Sequence, residues 1–427
     1  MASETIIVKL VWVDEADKQV GVRVSQDGRT QDISVEDLPQ LRRKLDNAVV
    51  TSYGVRGKSG VTLEHRPLTR QTGAQVTTYT LMHGNDEVLI VYPDTGSVTT
   101  IDDKLRPWAL SGLVLTASIF MDWLNRRVDN LSRTYMNCVY IARKVGRDRE
   151  KILRDSCAIS VIDNYWVKRS DVKTSWSELK RKRDKNTKLA NTALTGQITD
   201  SPFDKLVDDT TSLFTLKGAF PKAALKGFIL KKGSNAEYEV VASQLGDALG
   251  ISVAKSTKRE SIVACQIFTS EFVSMAHAYD FLHLTDYRAE IDNDEHRAVY
   301  DYFSRHNQDD VVRQLERLYI FNYLAANVDL HYENFGFLYD SRTTEVTGVA
   351  PAYDFNSAFG AWPDVKAYYA WIVNNLPSFI RRHPAILEKL QSSEFLQIVD
   401  GLTDLTQEQK DSLLARANYL TEIMGGD

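Results

Sequence analysis

The spacing of apolar residues changes part-way along this chain, and that change rules out a fold built from one kind of secondary structure. From Thr5 to Thr100 apolar positions recur with period two, in runs such as Ile6–Trp12, Val20–Val24, Thr77–Leu81 and Glu87–Tyr92 separated by Asp-Gly, His-Gly-Asn and Pro-Asp-Thr-Gly turns. Beyond Pro107 the spacing lengthens: Leu110–Leu124, Leu131–Val145 and Arg149–Cys157 read as helices. A polar, basic stretch from Ser170 to Pro202 then marks a boundary. Three regions follow from this: a β-rich module over 1–105, a helical, basic connecting segment over 106–200, and a third domain over 201–427.

In the third region Ser212–Leu216 and Leu225–Lys231 read as strands, Glu237–Leu249 as a helix closed by Gly250, and Val253–Thr269 as a strand pair. Val311–Ala326 is helical and breaks into the polar stretch Asn327-Val-Asp-Leu-His-Tyr-Glu-Asn334 before the apolar run Phe335–Tyr339. Tyr368–Met424 is helical except at Pro377 and Pro384.

Composition narrows the function classes. The 427 residues are 43% hydrophobic, too apolar for a disordered chain. Cys138, Cys157 and Cys265 are too few and too scattered for a disulfide framework or a zinc knuckle, which predicts a reducing, cytoplasmic setting. The longest uncharged apolar stretch, Trp108 to Met121, is shorter than the ~20 residues that span a bilayer, so it reads as a buried helix and no membrane is expected. Charge is uneven: 121–190 holds 18 Lys or Arg against 9 Asp or Glu, in a chain whose net charge is −5. That segment, densest at Lys180–Lys188, could meet an acidic partner such as nucleic acid, although charge runs of this kind are more often solvated.

The chemistry concentrates around the 327–334 loop. Phosphoryl transfer needs an acidic group that orients the attacking hydroxyl and oxygen ligands that hold Mg²⁺ against the phosphates. Asp329 and Asn334, five positions apart, suit those two roles, and Asp354 follows an apolar stretch, Val349–Tyr353, at a loop mouth where a carboxylate can bind hard Mg²⁺. Taken singly, each would more often be a cap or turn residue. Upstream, Phe228-Ile-Leu-Lys-Lys232 is a strand ending in two lysines, and Ser234–Glu239 opens a helix. Lys231 or Lys232, paired with Glu237 or Glu239, could neutralise α/β-phosphate charge. Period two puts the two lysines on opposite faces, so only one points inward.

The combination of Asn327-Val-Asp-Leu-His-Tyr-Glu-Asn334, Phe335–Leu338 and Ala350-Pro-Ala-Tyr-Asp354 resembles the HipA-like serine/threonine kinases. The resemblance covers roughly 200–400. It implies an α+β, bilobal protein-kinase-like domain, with an N-lobe over about 201–275 and a C-lobe over about 276–427. It also implies ATP and Mg²⁺ as cofactors, a protein Ser or Thr as acceptor, and a bacterial or phage toxin or defence role with an antitoxin or DNA-binding partner. By that likeness Asp329 is the catalytic base, His331 fills the motif's histidine position, Asn334 and Asp354 bind metal, Glu239 is the helix glutamate, and Cys265–Phe272 is the adenine-binding hinge. By resemblance to the family's phosphate-covering loop, Leu216-Lys-Gly-Ala-Phe-Pro-Lys222 offers Gly218 and Lys222, while a turn between two strands explains Gly218 equally well. Ala158–Lys168 also looks like the region preceding the kinase core in longer HipA-like bacterial proteins.

Two departures stand out. Glu333 occupies the position before Asn334 where the family usually has Lys or Arg, and Phe355-Asn356 follows Asp354 where Phe-Gly is usual. Glu333 leaves open a catalytically silent kinase-like binding module, with or without nucleic acid on its basic segment. A small-molecule or lipid kinase is a third reading, because the loop also resembles phosphoinositide and antibiotic kinases.

Overall fold

The computed structural model describes backbone strands at 6–14, 19–26, 29–35 and 48–50, and residues 77–127, 138–139, 149–183, 187–196, 216, 220–282, 295–360 and 370–425. The chain divides into two compact units, Met1–Gln75 and Val76–Asp427. In the first, β1 (Ile6–Asp14), β2 (Gln19–Gln26), β3 (Arg29–Val35) and β4 (Ala48–Val50) form a sheet in the order β3-β2-β1-β4, with β1 and β4 parallel. β1 and β2 fall on the period-two runs Ile6–Trp12 and Val20–Val24.

The second unit opens with β5 (Tyr79–His83), β6 (Asp86–Tyr92) and β7 (Ser97–Thr100), followed by the helices α1 (Ala117–Arg127) and α2 (Arg149–Ser156). The strand β8 (Tyr165–Arg169) then returns to pair antiparallel with β5, giving the order β7-β6-β5-β8. The expected break after residue 105 therefore falls inside an element of structure that joins residues from both sides of it. Trp108–Met121 is not one helix: a 3₁₀ turn at Trp108–Leu110 and a left-handed Gly112 (φ 68°) precede α1, and the intervening Val114 is exposed. Of Leu131–Val145 only 138–139 are described, and they are helical. Two further helices, α3 (Trp176–Arg183) and α4 (Thr187–Thr195), carry part of the basic run, whose side chains from 180 to 188 lie outside the described residues, as does the nucleic-acid surface expected there.

A four-stranded antiparallel sheet comes next: β9 (Lys222–Leu225), β10 (Phe228–Lys231), β11 (Ser256–Arg259) and β12 (Ile262–Gln266), in the order β11-β12-β10-β9. The expected single strand Leu225–Lys231 is a hairpin instead. Lys226 and Gly227 both take positive φ (47° and 80°), the two-residue turn whose twist suits adjacent antiparallel strands. The strand expected at Ser212–Leu216 lies outside the described residues except for Leu216. Between the hairpin and β11 runs α5 (Tyr238–Leu249), which ends where left-handed Gly250 lets Ile251 N–H reach the Gly246 carbonyl at 2.9 Å.

The rest is mainly helical: α6 (Tyr279–Leu282), α7 (Glu295–Arg305), α8 (Asp309–Leu324), α9 (Ala370–Arg381), α10 (Pro384–Leu390), α11 (Ser393–Asp400) and α12 (Gln407–Gly425). Against them lies a three-stranded sheet, β13 (Val273–His277), β14 (Gly336–Asp340) and β15 (Val346–Val349), in that order. Pro384 starts α10, but Pro377 sits inside α9 rather than ending a helix. Burial of Ile372, Leu376, Phe379 and Ile380 on one face outweighs the lost backbone bond. Among the described residues no helix is long and apolar enough to cross a membrane.

One apolar core runs through the second unit, from Leu81 and Phe120 to Phe281, Phe337 and Leu420. Polar contacts stitch its early segment to the late one. Trp108 Nε1 donates to the Thr344 carbonyl at 3.1 Å, Met275 N–H to the Ile162 carbonyl at 2.7 Å, and Asn164 Nδ2 to the Glu271 carbonyl at 2.9 Å. Gly336, two residues past the polar loop, lies so close to β13 that a Cβ there would collide with the Ala276 carbonyl oxygen. Gly336→Ala is therefore expected to lower stability by about 1–3 kcal/mol, read as a reduced denaturation midpoint at unchanged slope in urea.

Candidate functional site

Strand β10 delivers Lys231, opposite Lys222 on β9 and Val263 on β12, into the interior at 7% exposure. Its ammonium Nζ lies 2.6 Å from Glu239 Oε1 and 2.7 Å from Asp354 Oδ1. Glu239 occupies the first turn of α5, where a negative charge is favoured by the helix dipole, and the same oxygen accepts Phe355 N–H at 2.9 Å. Burial disfavours the Lys231 ammonium, but the Asp354 and Glu239 carboxylates outweigh it and hold its pKa above the ordinary lysine value. For Asp354, burial pushes the pKa up, and Lys231 and then Lys222 more than reverse it, so the carboxyl lies below the usual carboxylate range. Asp354 takes a left-handed backbone (φ 66°), and Asn356 Nδ2 donates to its Oδ1 at 2.8 Å.

The polar loop leaves the end of α8. Arg416 Nε donates to the Leu324 carbonyl at 2.8 Å, placing a cation on the helix C-terminus, and Ala326 turns the chain at φ 46°. Asn327, fully buried, ties the loop to the helix: its N–H reaches the Asn322 carbonyl at 3.0 Å and its Nδ2 reaches Asn322 Oδ1 at 2.9 Å. Its own Oδ1 accepts Asp329 N–H at 3.2 Å. Asn334 Nδ2 donates to the Asp329 carbonyl at 2.8 Å and to Asp329 Oδ2 at 3.2 Å, leaving the amide oxygen of Asn334 for another partner. His331 Nε2 lies 3.8 Å from Asp329 Oδ1. Burial, reinforced by the charge of Asp354, raises the pKa of Asp329 against the opposing pull of His331 and Asn334.

These groups share one cavity of about 450 Å³, lined by Lys222, Lys231, Glu239, Asp329, His331, Asn334 and Asp354. The buried Lys231 ammonium, held by two carboxylates, can bind a polyanion, and the half-exposed Asp329 carboxylate can receive a proton from a hydroxyl beside it. Residues 214–407 match the family model of the HipA-like C-terminal domain. Over this stretch the chain is similar to HipA-like C-terminal domains.

The fold agrees. A chain in the complex of the Shewanella oneidensis MR-1 toxin–antitoxin system HipA, HipB and its operator DNA aligns at TM-score 0.52 and 12% identity, over 82% of this chain and 100% of that one. The Helicobacter pylori proinflammatory kinase CtkA aligns at TM-score 0.35 and 17% identity, over 48% of this chain and 89% of that one. No curated protein matches the chain significantly.

Within the HipA-like domain, Lys231 rather than Lys232 faces the cavity. Lys232 is half-buried beside it, its N–H on the Pro221 carbonyl at 3.2 Å. Glu239 rather than Glu237, the residue before α5, pairs with the lysine. Gly218 lies outside the described residues, whereas Lys222 is buried on the cavity wall. Cys265–Thr269 line the same cavity, and burial pushes the Cys265 thiol up to about 11, which keeps it protonated and unreactive. His296 stacks on Phe335 at 5.3 Å, and Trp371 is packed edge-on to Tyr300 and Tyr319.

Sequence reasoning missed Tyr353. Its hydroxyl donates to the Glu333 carbonyl at 3.2 Å and sits 3.2 Å from His277 Nδ1, so it braces the loop from the segment after β15 that carries Asp354. The Tyr-Asp dipeptide was visible, but its partner His277 is 76 positions away. Asn327 was legible only as part of the motif, not as the staple to Asn322.

Proposed function

We propose that this chain is an ATP- and Mg²⁺-dependent kinase that transfers the γ-phosphoryl group to a Ser or Thr hydroxyl of a protein. The reading rests on one observation: Lys231, Asp329, Asn334 and Asp354 face a single cavity. Lys231 would bind the α/β-phosphates, with Glu239 holding it in place. Asp329 would orient the acceptor hydroxyl and take its proton at the carboxylate, with His331 at its side. Lys222 and Gly218 would cover the phosphates.

The donor set fits a magnesium ion. The Asn334 amide oxygen and the Asp354 carboxylate are hard oxygen ligands, and among the described residues no cluster of three or more His, Cys, Asp or Glu forms a metal cage. An ion held there would draw its other ligands from phosphate and water, as Mg²⁺ does, and would neutralise phosphate charge. Residues 201–275 and 276–427 would be the two kinase lobes. The likeness to HipA, solved with HipB and operator DNA, extends the proposal to an antitoxin or DNA-binding partner and a cytoplasmic toxin or defence role.

Incubation of the purified chain with γ-labelled ATP and Mg²⁺ tests this. Label is expected on the protein or a target, and it should vanish in Asp329→Ala and Asp354→Ala. Because a raised pKa keeps Asp329 protonated further up the scale, the transfer rate should fall as pH drops, with its inflection above the ~3.9 of an ordinary Asp. Absence of both turnover and nucleotide binding would instead assign the chain to a silent binding module.

A further inference from the structure

The cavity has a second wall that the phosphoryl-transfer groups do not use. It is built by Trp108, Trp123, Arg126 and Arg127, residues that precede the HipA-like domain, facing His277 and Tyr279. The two adjacent arginines at the end of α1 differ in kind. Arg127 is consumed by structure: its guanidinium bonds both Asp163 oxygens at 2.6 and 2.8 Å and the Tyr165 carbonyl at 3.1 Å. Arg126 is exposed, and among the described residues no carboxylate pairs with it.

Arg126 is nonetheless held in place. Its guanidinium lies over the Tyr279 ring at 4.7 Å from the centroid, and Tyr279 stacks on Tyr332 at 5.1 Å. Tyr332 is the residue between His331 and Glu333, and its carbonyl accepts Tyr279 N–H at 3.0 Å. The stack therefore fixes a cation to the same loop that presents Asp329. A guanidinium lying flat on a ring keeps its N–H donors at the edge, in the planar fork that suits a carboxylate, and its ordering cost is already met by the stacking. Of the acids lining the cavity, Asp163 is bonded by Arg127, Asp280 accepts His277 N–H at 3.1 Å, and neither these nor Glu333 forms an ion pair with Arg126 among the described residues.

We infer that Arg126 is a specificity residue that binds the carboxylate of an acidic side chain flanking the acceptor Ser or Thr, so the substrate is an acidic polypeptide segment. This rests on the kinase reading for the word acceptor, but the binding it asserts can be measured without turnover.

The test uses the full chain with Mg²⁺ and a non-hydrolysable ATP analogue. Short fluorescein-labelled Ser peptides flanked by Glu, Gln or Lys are titrated and followed by anisotropy, with a single-stranded oligonucleotide as competitor. The Glu-flanked peptide is expected to bind ~10-fold tighter than the Gln-flanked one. Arg126→Ala should erase that difference, Arg126→Lys should restore part of it, and Arg126→Glu should shift the preference to the Lys-flanked peptide. Thermal melting of each variant reports its folding. Equal binding of the Glu and Gln peptides, persistence of the preference in Arg126→Ala, or displacement by the oligonucleotide at lower concentration than by the acidic peptide would each overturn the inference. Loss of label transfer with the peptide preference intact would overturn the kinase reading alone.

Discussion

On the proposed kinase reading, Asp354→Asn is expected to reduce phosphoryl transfer by ~10³-fold, because a charge-stabilising interaction through a metal held by Asp354 would contribute several kcal/mol and each 1.36 kcal/mol is tenfold in rate. Asparagine is the informative replacement. Asp354 sits at φ 66°, a region Asn tolerates and Ala resists, so the variant keeps the backbone and can still accept from Asn356 and Lys231. What it loses is charge, leaving Lys231 with Glu239 as its one carboxylate partner in the pair of contacts at 2.6 and 2.7 Å. Label transfer should collapse while the circular-dichroism spectrum and nucleotide-free melting remain those of a folded protein. Wild-type rates in this variant would remove Asp354 from the chemistry.

The second large effect is on stability. Phe281 is fully buried on the short helix α6, its ring stacked on Trp108 at 4.8 Å and set edge-on to Phe337 at 4.9 Å, with Phe303 at 5.7 Å. Phe281→Ala should cost about 3–5 kcal/mol, the transfer energy of the ring plus the cavity it leaves. Phe272→Ala, at a position 61% exposed, should stay within about 0.5 kcal/mol and serves as the control. Trp108→Ala and Phe281→Ala combined should cost less than the sum of the singles, since both remove the same contact. Strict additivity in urea unfolding would mean that the segment around Trp108 folds apart from the rest.

How much of this was legible depended on the distance over which each decision is made. The spacing of Asp329 and Asn334 is local, and so is the helix that Gly250 closes, and both were readable. The choice between Lys231 and Lys232 was not, because period two says only that they face opposite ways. Register against Lys222 and Val263, together with the reach of Glu239 and Asp354, decides the side. Trp108–Met121 looked like one buried helix because apolar length was visible and the left-handed turn at Gly112 was not. Pro377 looked like a breaker because its local cost was plain, while the apolar face that offsets it belongs to the packing of α9. The return of β8 to β5, about 80 positions later, left no trace in periodicity, so a boundary after residue 105 cut through one sheet.

The two sides of the cleft are encoded in separate stretches of the chain. Lys231, Glu239, Asp329 and Asp354 come from 231–354, whereas Trp108, Trp123 and Arg126 come from 108–126. Residue changes in the earlier stretch can alter which molecules the cleft admits while every reacting group keeps its position. On the readings proposed above, target choice can thus drift, or be redesigned, apart from the reaction.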